Sequence, residues 1–369
     1  MKLLFIIHNI ALCGAERVLS IIVNELAERG HQVHILTDPK HVSYKLDNRI
    51  TLIDAYQGID INQKKGKLAS AIRYIQLMAF QYRIIKHTLH VLKPDATISF
   101  MGMCIWQLFP FRKEFKIIIS DHSAMDRNFT KKMNFERRCL PEYFNYQTVL
   151  TQADKLFLGE NRSNVVVIND PLTFPVISIS EYNELLSKRS RLLACGNIDR
   201  YHVKGLDNLI RAFSIVAKGH PDWKLDIAGE GSCEKINELK ELANKSGIES
   251  QVEFLGFRSD MDELMKSHIL FVHAPRSEGF GMVLTEAMAC GCPVISFALS
   301  GPSEIIHNKV DGLLVDKQDI NALALAINEL MSDSNRRVMM GLNALESVKR
   351  FSVESVVDKW EALFRSENK

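Results

Sequence analysis

Short apolar runs alternate with amphipathic helical segments along nearly the whole chain, which restricts it to α/β architecture built on parallel sheets. The first forty residues set the pattern. Leu3 to Ile7 is a continuous apolar run, as a strand covered on both faces requires. A loop reaches Cys13-Gly14, and from Ala15 the residues Val18, Leu19, Ile22, Val23 and Leu26 fall at helical spacing until Gly30 stops the helix. Val33, Ile35 and Leu36 make the next strand. A strand, helix and strand of these lengths give parallel neighbours and a right-handed crossover. Further strands are expected near 96–99, 117–120 and 165–168. A second series starts at Arg191-Leu192-Leu193-Ala194-Cys195-Gly196 and continues near 224–228, 252–255, 269–272, 293–297 and 313–315.

Between the two series, Asn169-Asp170-Pro171 and Phe174-Pro175 interrupt regular structure, and 176–189 is polar and Ser-rich. The boundary is placed there, giving domains over 1–175 and 190–352. A chain of 369 residues accommodates two such domains. Open parallel sheets bind ligands beyond the carboxyl ends of their strands, so the expected site is the cleft between two doubly wound domains. Near the end, Val353, Val356, Val357, Trp360, Leu363 and Phe364 form a helical apolar stripe, read as a structural strut.

Charge is unevenly spread. Residues 1–189 hold 25 Lys and Arg against 18 Asp and Glu, and 190–369 hold 21 against 26. A basic half beside an acidic half points to a first domain that meets an anionic surface. A nucleic-acid partner is not expected, since no dense basic arm interleaved with aromatics occurs. The seven cysteines form no C-x-x-C pair and no zinc spacing, which suits free thiols in a reducing, cytosolic compartment. The apolar start ends at His8-Asn9, short of a signal sequence, and no run approaches membrane-spanning length. In 60–93, Lys64, Lys65, Lys67, Arg73, Arg83, Lys86 and Lys93 alternate with apolar residues. That pattern fits a solvated basic face on a core-packed helix or a helix lying on anionic lipid.

The densest chemical signal is the string from Glu278-Gly279-Phe280-Gly281-Met282-Val283 through Glu286 to Cys290-Gly291-Cys292-Pro293. It follows a strand and opens a helix. Its glycines let backbone approach a ligand, and the amides of Phe280, Gly281, Met282 and Val283 lie at a helix N-terminus, where an anion is favoured. Glu278 precedes the helix and Glu286 lies more than one turn inside it, so one carboxylate can face a sugar while the other accepts hydrogen bonds from a ribose.

This string resembles the E-x7-E signature of the retaining, family 4 glycosyltransferases with the GT-B fold. Gly301-Pro302-Ser303-Glu304, Asp311-Gly312-Leu313-Leu314-Val315, the opening Gly14-Ala15-Glu16-Arg17 and the Asn169-Asp170-Pro171 linker also look like that family, in its order. Among its members the chain looks most like bacterial enzymes that build lipid-linked oligosaccharides and O-antigens. The resemblance implies two Rossmann-like domains facing a central cleft: an acceptor-side domain over 1–175, joined by a final helix 353–369 that crosses back, and a donor domain over 190–352. It implies transfer of a hexose or N-acetylhexosamine from a nucleotide sugar, a UDP-sugar, to a polyprenyl-linked glycan at the inner face of the cytoplasmic membrane. An epimerase of the same architecture and an inactive nucleotide-sugar-binding partner subunit are the alternatives.

The family needs no metal, because cations and amides meet the departing diphosphate. Lys204 matches its phosphate-binding lysine, and Gly14 its close-approach glycine. The arginine usual after the strand glycine is missing, since Gly196-Asn197 stands there; Arg200, in the longer loop, either supplies that second cation or points to solvent. His122, in Ser120-Asp121-His122-Ser123, matches the histidine that contacts the transferred sugar, with Asp121 either orienting the imidazole or capping the turn. Gly229-Glu230-Gly231 is either a tight strand-to-helix turn or a nucleoside contact. Phe257 either stacks on the base or packs internally.

Overall fold

The computed structural model describes residues 1–11, 14–56, 67–127, 129–186 and 191–367, with backbone alone for 67–71. The chain divides into two compact units, Met1–Pro171 with Val353–Lys369, and Leu172–Ser352.

The first unit is built on β1 (Lys2–Ile6), β2 (Gln32–Thr37), β3 (Thr51–Asp54), β4 (Ala96–Phe100), β5 (Ile117–Ser120), β6 (Tyr146–Val149) and β7 (Val165–Val167). They form one sheet in the order β3-β2-β1-β4-β5-β6-β7, with every pair parallel. Two of these strands are not apparent from hydropathy. Among the described residues the outer strand β3 pairs only with β2, and its Thr51 and Leu52 are exposed. In β6, Gln147 and Thr148 are buried polar residues. Gln147 donates to the Arg137 carbonyl at 2.7 Å, and the Thr148 hydroxyl donates to Ser120 Oγ at 2.8 Å. A central strand that buries satisfied polar groups loses the apolar run that marks its neighbours.

The C-terminal helix Val353–Arg365 belongs to this unit and buries Val356, Val357, Trp360, Leu363 and Phe364. Arg29 reaches Asp358 at 2.5 Å, and His31 reaches Glu361 at 2.7 Å. At its C-terminal end the buried Lys116 ammonium donates to the carbonyls of Phe364 at 2.9 Å and Ser366 at 2.5 Å. A cation there satisfies carbonyls that have no helical partner and complements the helix dipole. The basic segment noted above forms the helix Lys67–Leu92; Lys64 and Lys65 lie outside the described residues. Leu77, Gln81, Ile85, Thr88 and Leu89 bury one face of it, while Arg83 and Lys86 are exposed on the other.

The second unit carries β8 (Arg191–Cys195), β9 (Lys224–Ala228), β10 (Val252–Gly256), β11 (Leu270–His273), β12 (Val294–Phe297) and β13 (Gly312–Val315). Their order is β10-β9-β8-β11-β12-β13, again all parallel. The order reverses between β8 and β11, so the carboxyl ends of those two strands open the crevice where such sheets bind ligands. Of the polar segment 176–189, the described residues 176–186 are not a plain linker. Ser178 caps the helix Ile179–Leu185, and Tyr182 packs with Ile177 and Leu345 inside this unit. The polar residues of 178–184 are the cap and the solvent side of a short amphipathic helix, which composition alone reads as a break.

Candidate active site

At the crevice of the second sheet, three ionisable side chains converge from two stretches of chain, one after β8 and one at the end of β11 and beyond. Glu278 follows β11, His273 ends that strand, and Lys204 closes the short helix Tyr201–Lys204 after β8. Glu278 Oε2 accepts from Lys204 Nζ at 3.0 Å and from His273 Nε2 at 2.9 Å, while Oε1 accepts from the Gly279 amide at 3.3 Å. Burial pushes the Glu278 carboxyl up, but the His273 hydrogen bond and the Lys204 charge outweigh it and hold the carboxyl well below the usual range. Burial also lowers His273, against the opposing pull of Glu278. His273 is therefore a neutral imidazole, and a carboxylate partner at Nε2 places its single proton there. An ionised Glu278 is an acceptor and a charge, not a proton donor.

The two loops are strapped together beneath this triad. Arg276 donates to both oxygens of the buried Asp207 at 2.7 and 2.8 Å, to Asn208 Oδ1 at 2.8 Å and to the His202 carbonyl at 2.6 Å. The Arg276 amide also bonds the Val203 carbonyl at 2.9 Å. These bonds fix 202–208 against 275–278, and so fix Lys204 against Glu278. Neither Arg276 nor His273 stood out in the sequence. Arg276 sits two residues before the motif string that starts at Glu278, and that position is the signal available for it.

Beyond Glu278 the chain enters the helix Met282–Ala289 through Gly281. The Phe280 ring is buried against Phe351, with ring centroids 5.3 Å apart, so Phe280 offers the site only backbone. Met282 and Val283 are half-buried at the start of the helix, where amides have no intrahelical partner. Glu286, buried on that helix, accepts a hydrogen bond from the Thr173 hydroxyl at Oε1. Cys195 ends β8 among these charges. Burial, with Glu286 and Glu278, pushes its thiol up to about 12 despite Lys204, which makes it an unreactive packing residue.

Asn197 caps the turn Ile198–Arg200, its side chain accepting from the Arg200 amide at 3.1 Å. Arg200 itself is exposed and makes no ion pair among the described residues. Gly229 has φ +155°, and a Cβ there would overlap the Gly196 carbonyl oxygen, so this turn is shaped by its contact with the loop after β8. Phe257 is 70% exposed just past β10, which removes the internal-packing alternative.

In the first unit, His122 follows β5 with a buried side chain, stacked on Phe100 at 4.1 Å between centroids. Asp121 does not orient it. Its carboxylate is held by Arg137 at 2.6 and 2.9 Å and accepts from the Ser123 amide at 2.9 Å. Asp170 takes that role instead, 3.0 Å from His122 Nδ1, with Ser120 Oγ 3.0 Å from Nε2. The reason is geometric: successive side chains at a strand end point to opposite faces, so Asp121 turns away from the imidazole. Gly14 opens the helix Gly14–Glu28 and is exposed.

Residues 180–347 match the family described as glycosyl transferases group 1. An uncharacterized glycosyltransferase of Haemophilus influenzae is 26% identical over 379 residues, covering 98% of this chain and 99% of that one. A Campylobacter jejuni α-1,4-N-acetyl-D-galactosaminyltransferase, named for a PP-undecaprenol-linked acceptor, is 26% identical over 367 residues, covering 98% and 97%. Among solved structures, Anabaena HepE in complex with UDP and glucose matches with TM-score 0.77 at 20% identity over 100% of both chains. Staphylococcus aureus TarM matches with TM-score 0.76 at 16% identity over 99% of this chain and 100% of that one. The fold is that of GT-B proteins. The match to the group 1 glycosyl transferases lies within the second unit, and the chain is a glycosyltransferase.

Proposed function

We propose that this glycosyltransferase is a retaining enzyme that moves a hexose or N-acetylhexosamine from a UDP-sugar to a polyprenyl-linked glycan, in the synthesis of a cell-surface polysaccharide. The observation that carries the reading is the ionised Glu278 clamped by Lys204 and neutral His273, beside the N-terminus of the helix Met282–Ala289. Lys204 and the amides at 280–283 meet the diphosphate, where negative charge grows as the donor breaks. Glu278 accepts hydrogen bonds from the sugar hydroxyls, Glu286 takes the ribose, and the exposed ring of Phe257 stacks on the base. The acceptor oxygen bonds the anomeric carbon on the face from which the diphosphate leaves, and its proton passes to the departing diphosphate. His122, its ring fixed by Asp170 and Ser120, contacts the transferred sugar.

The names of full-length relatives support the reading, the first through its lipid-linked acceptor and the second through a biosynthetic role. One is the Campylobacter transferase above, and another is the amylovoran biosynthesis glycosyltransferase of Erwinia amylovora, 27% identical over 375 residues. No described helix is long and apolar enough to cross a membrane. With a lipid-linked acceptor, the protein works as a peripheral enzyme on the inner face of the cytoplasmic membrane.

Incubation with a panel of UDP-, GDP- and ADP-sugars and a lipid-linked acceptor extract tests this. The expected result is transfer from one UDP-sugar, with the anomeric configuration kept in the product. Inversion, or transfer from a non-UDP donor alone, contradicts it. Tight UDP binding without any transfer would favour the inactive partner subunit.

A further inference from the structure

The first unit carries an exposed aromatic and basic face that neither the fold nor the donor site uses. The helix Lys131–Arg138 buries none of its residues, although it contains Met133 and Phe135. Phe135 is 45% exposed, and its ring stacks on that of Trp106, itself 42% exposed, at 6.3 Å between centroids and 20° between planes. Trp106 Nε1 donates to Glu136, and Lys132 pairs with the same carboxylate at 3.7 Å. The Lys132 ammonium also lies 5.9 Å above the exposed ring of Tyr74, whose neighbour Ile75 is 66% exposed. The face thus runs continuously from the helix Lys67–Leu92 across 131–138 to Trp106.

Its charge is one-sided. Residues 127–138 hold Arg127, Lys131, Lys132, Arg137 and Arg138 against a single acid, Glu136. Arg137 is consumed by Asp121, while Lys131 and Lys132 stay exposed. Large apolar side chains left in water beside an excess of cations are costly for a free surface and characteristic of one that is covered. A second copy of this chain is a poor cover, since a two-fold interface would set the same cations against one another. An anionic bilayer matches both features, because indole and phenyl rings settle at headgroup depth while lysines engage lipid phosphates.

We infer that the face formed by Trp106, Met133, Phe135 and Tyr74 with Lys131 and Lys132 docks on anionic phospholipid. The inference deepens the proposed function and rests on it for its purpose, since a polyprenyl-linked acceptor cannot leave the membrane. Within the basic first domain it centres the contact on 131–138, where the sequence pointed partly to 60–93.

The full-length protein is mixed with vesicles of phosphatidylcholine and phosphatidylglycerol in equal parts, or of phosphatidylcholine alone, and bound protein is read by flotation. Binding is expected with phosphatidylglycerol and not without it, falling as salt shortens the Debye length from about 10 Å at 0.1 M. Bromine on the acyl chains should quench the tryptophan emission of wild type but not of Trp106→Phe. Lys132→Glu with Phe135→Ser should weaken binding roughly tenfold or more with thermal stability kept, and Lys132→Glu alone should weaken it less. Failure of wild type to float with phosphatidylglycerol at low salt overturns the inference. So does equal binding by both variants, or a concentration-dependent dimer that the double variant abolishes. No nucleotide sugar is present in this assay, so its failure leaves the transfer reading standing, and failure of transfer is seen separately in the donor panel.

Discussion

Lys204 Nζ and His273 Nε2 hold the same oxygen of Glu278, at 3.0 and 2.9 Å, one as a cation and the other as a neutral donor. The carboxylate is thereby fixed in both position and ionisation state, and the two partners are separable by mutation.

Lys204→Ala should impair donor binding and turnover together. It leaves a diphosphate oxygen without its cation, a loss of about 3 to 5 kcal/mol, or roughly a hundred- to several-thousand-fold in kcat/KM. Steady-state kinetics with calorimetric titration of UDP checks this, and wild-type turnover by the variant refutes the assignment. Arg200→Ala removes an exposed cation and should change kcat/KM less than about tenfold.

His273 is expected to act by positioning Glu278. His273→Leu should lower kcat, and His273→Gln, which restores an N–H donor, should recover part of it. Both His273 and Glu278 are shifted down, so each favours the folded state fully above its ordinary value and progressively less as pH falls below it. Thermal stability should therefore decline below 6.5, the ordinary value for histidine, and again below 4.5, that for glutamate. The upper step should vanish in His273→Leu. If it persists unchanged, another group is responsible.

Two glycines in contact with each other should give opposite phenotypes. A Cβ at Gly196 would come 3.2 Å from Lys204 Cγ, so Gly196→Ala nudges a flexible stem and should raise the donor KM with little change in thermal midpoint. A Cβ at Gly229 would overlap the Gly196 carbonyl oxygen at a left-handed φ, which neither side can relieve cheaply. Gly229→Ala should destabilise the fold by about 1–3 kcal/mol or more. Parallel melting curves and donor titrations separate the two effects, and matching stability losses would contradict the distinction.

Metal independence is expected because Lys204 and the helix amides at 280–283 already supply the positive field that a divalent ion gives in other transferases. Activity should survive excess chelator. Loss of activity in chelator, restored by Mg²⁺ or Mn²⁺, refutes that account.

Sequence alone carried the periodicity of the two α/β halves and the stretch 278–286, because strand and helix patterns and helix-start chemistry depend on neighbours along the chain. It also carried Lys204 and His122, through their places in a recognisable order of motifs. Strands β3 and β6 escaped it, one because an outer strand is half wet, the other because its buried Gln147 and Thr148 are satisfied by partners outside the strand, 10 and 28 residues away. Tertiary structure decided who holds whom. His122 meets Asp170, 48 residues away, and not its neighbour Asp121; Glu278 meets Lys204 across 74 residues, and Glu286 meets Thr173 across 113. These pairings follow from strand order, which sets loops distant in sequence side by side at the carboxyl ends of each sheet. A buried carboxylate then takes whichever donor that arrangement places within about 3 Å.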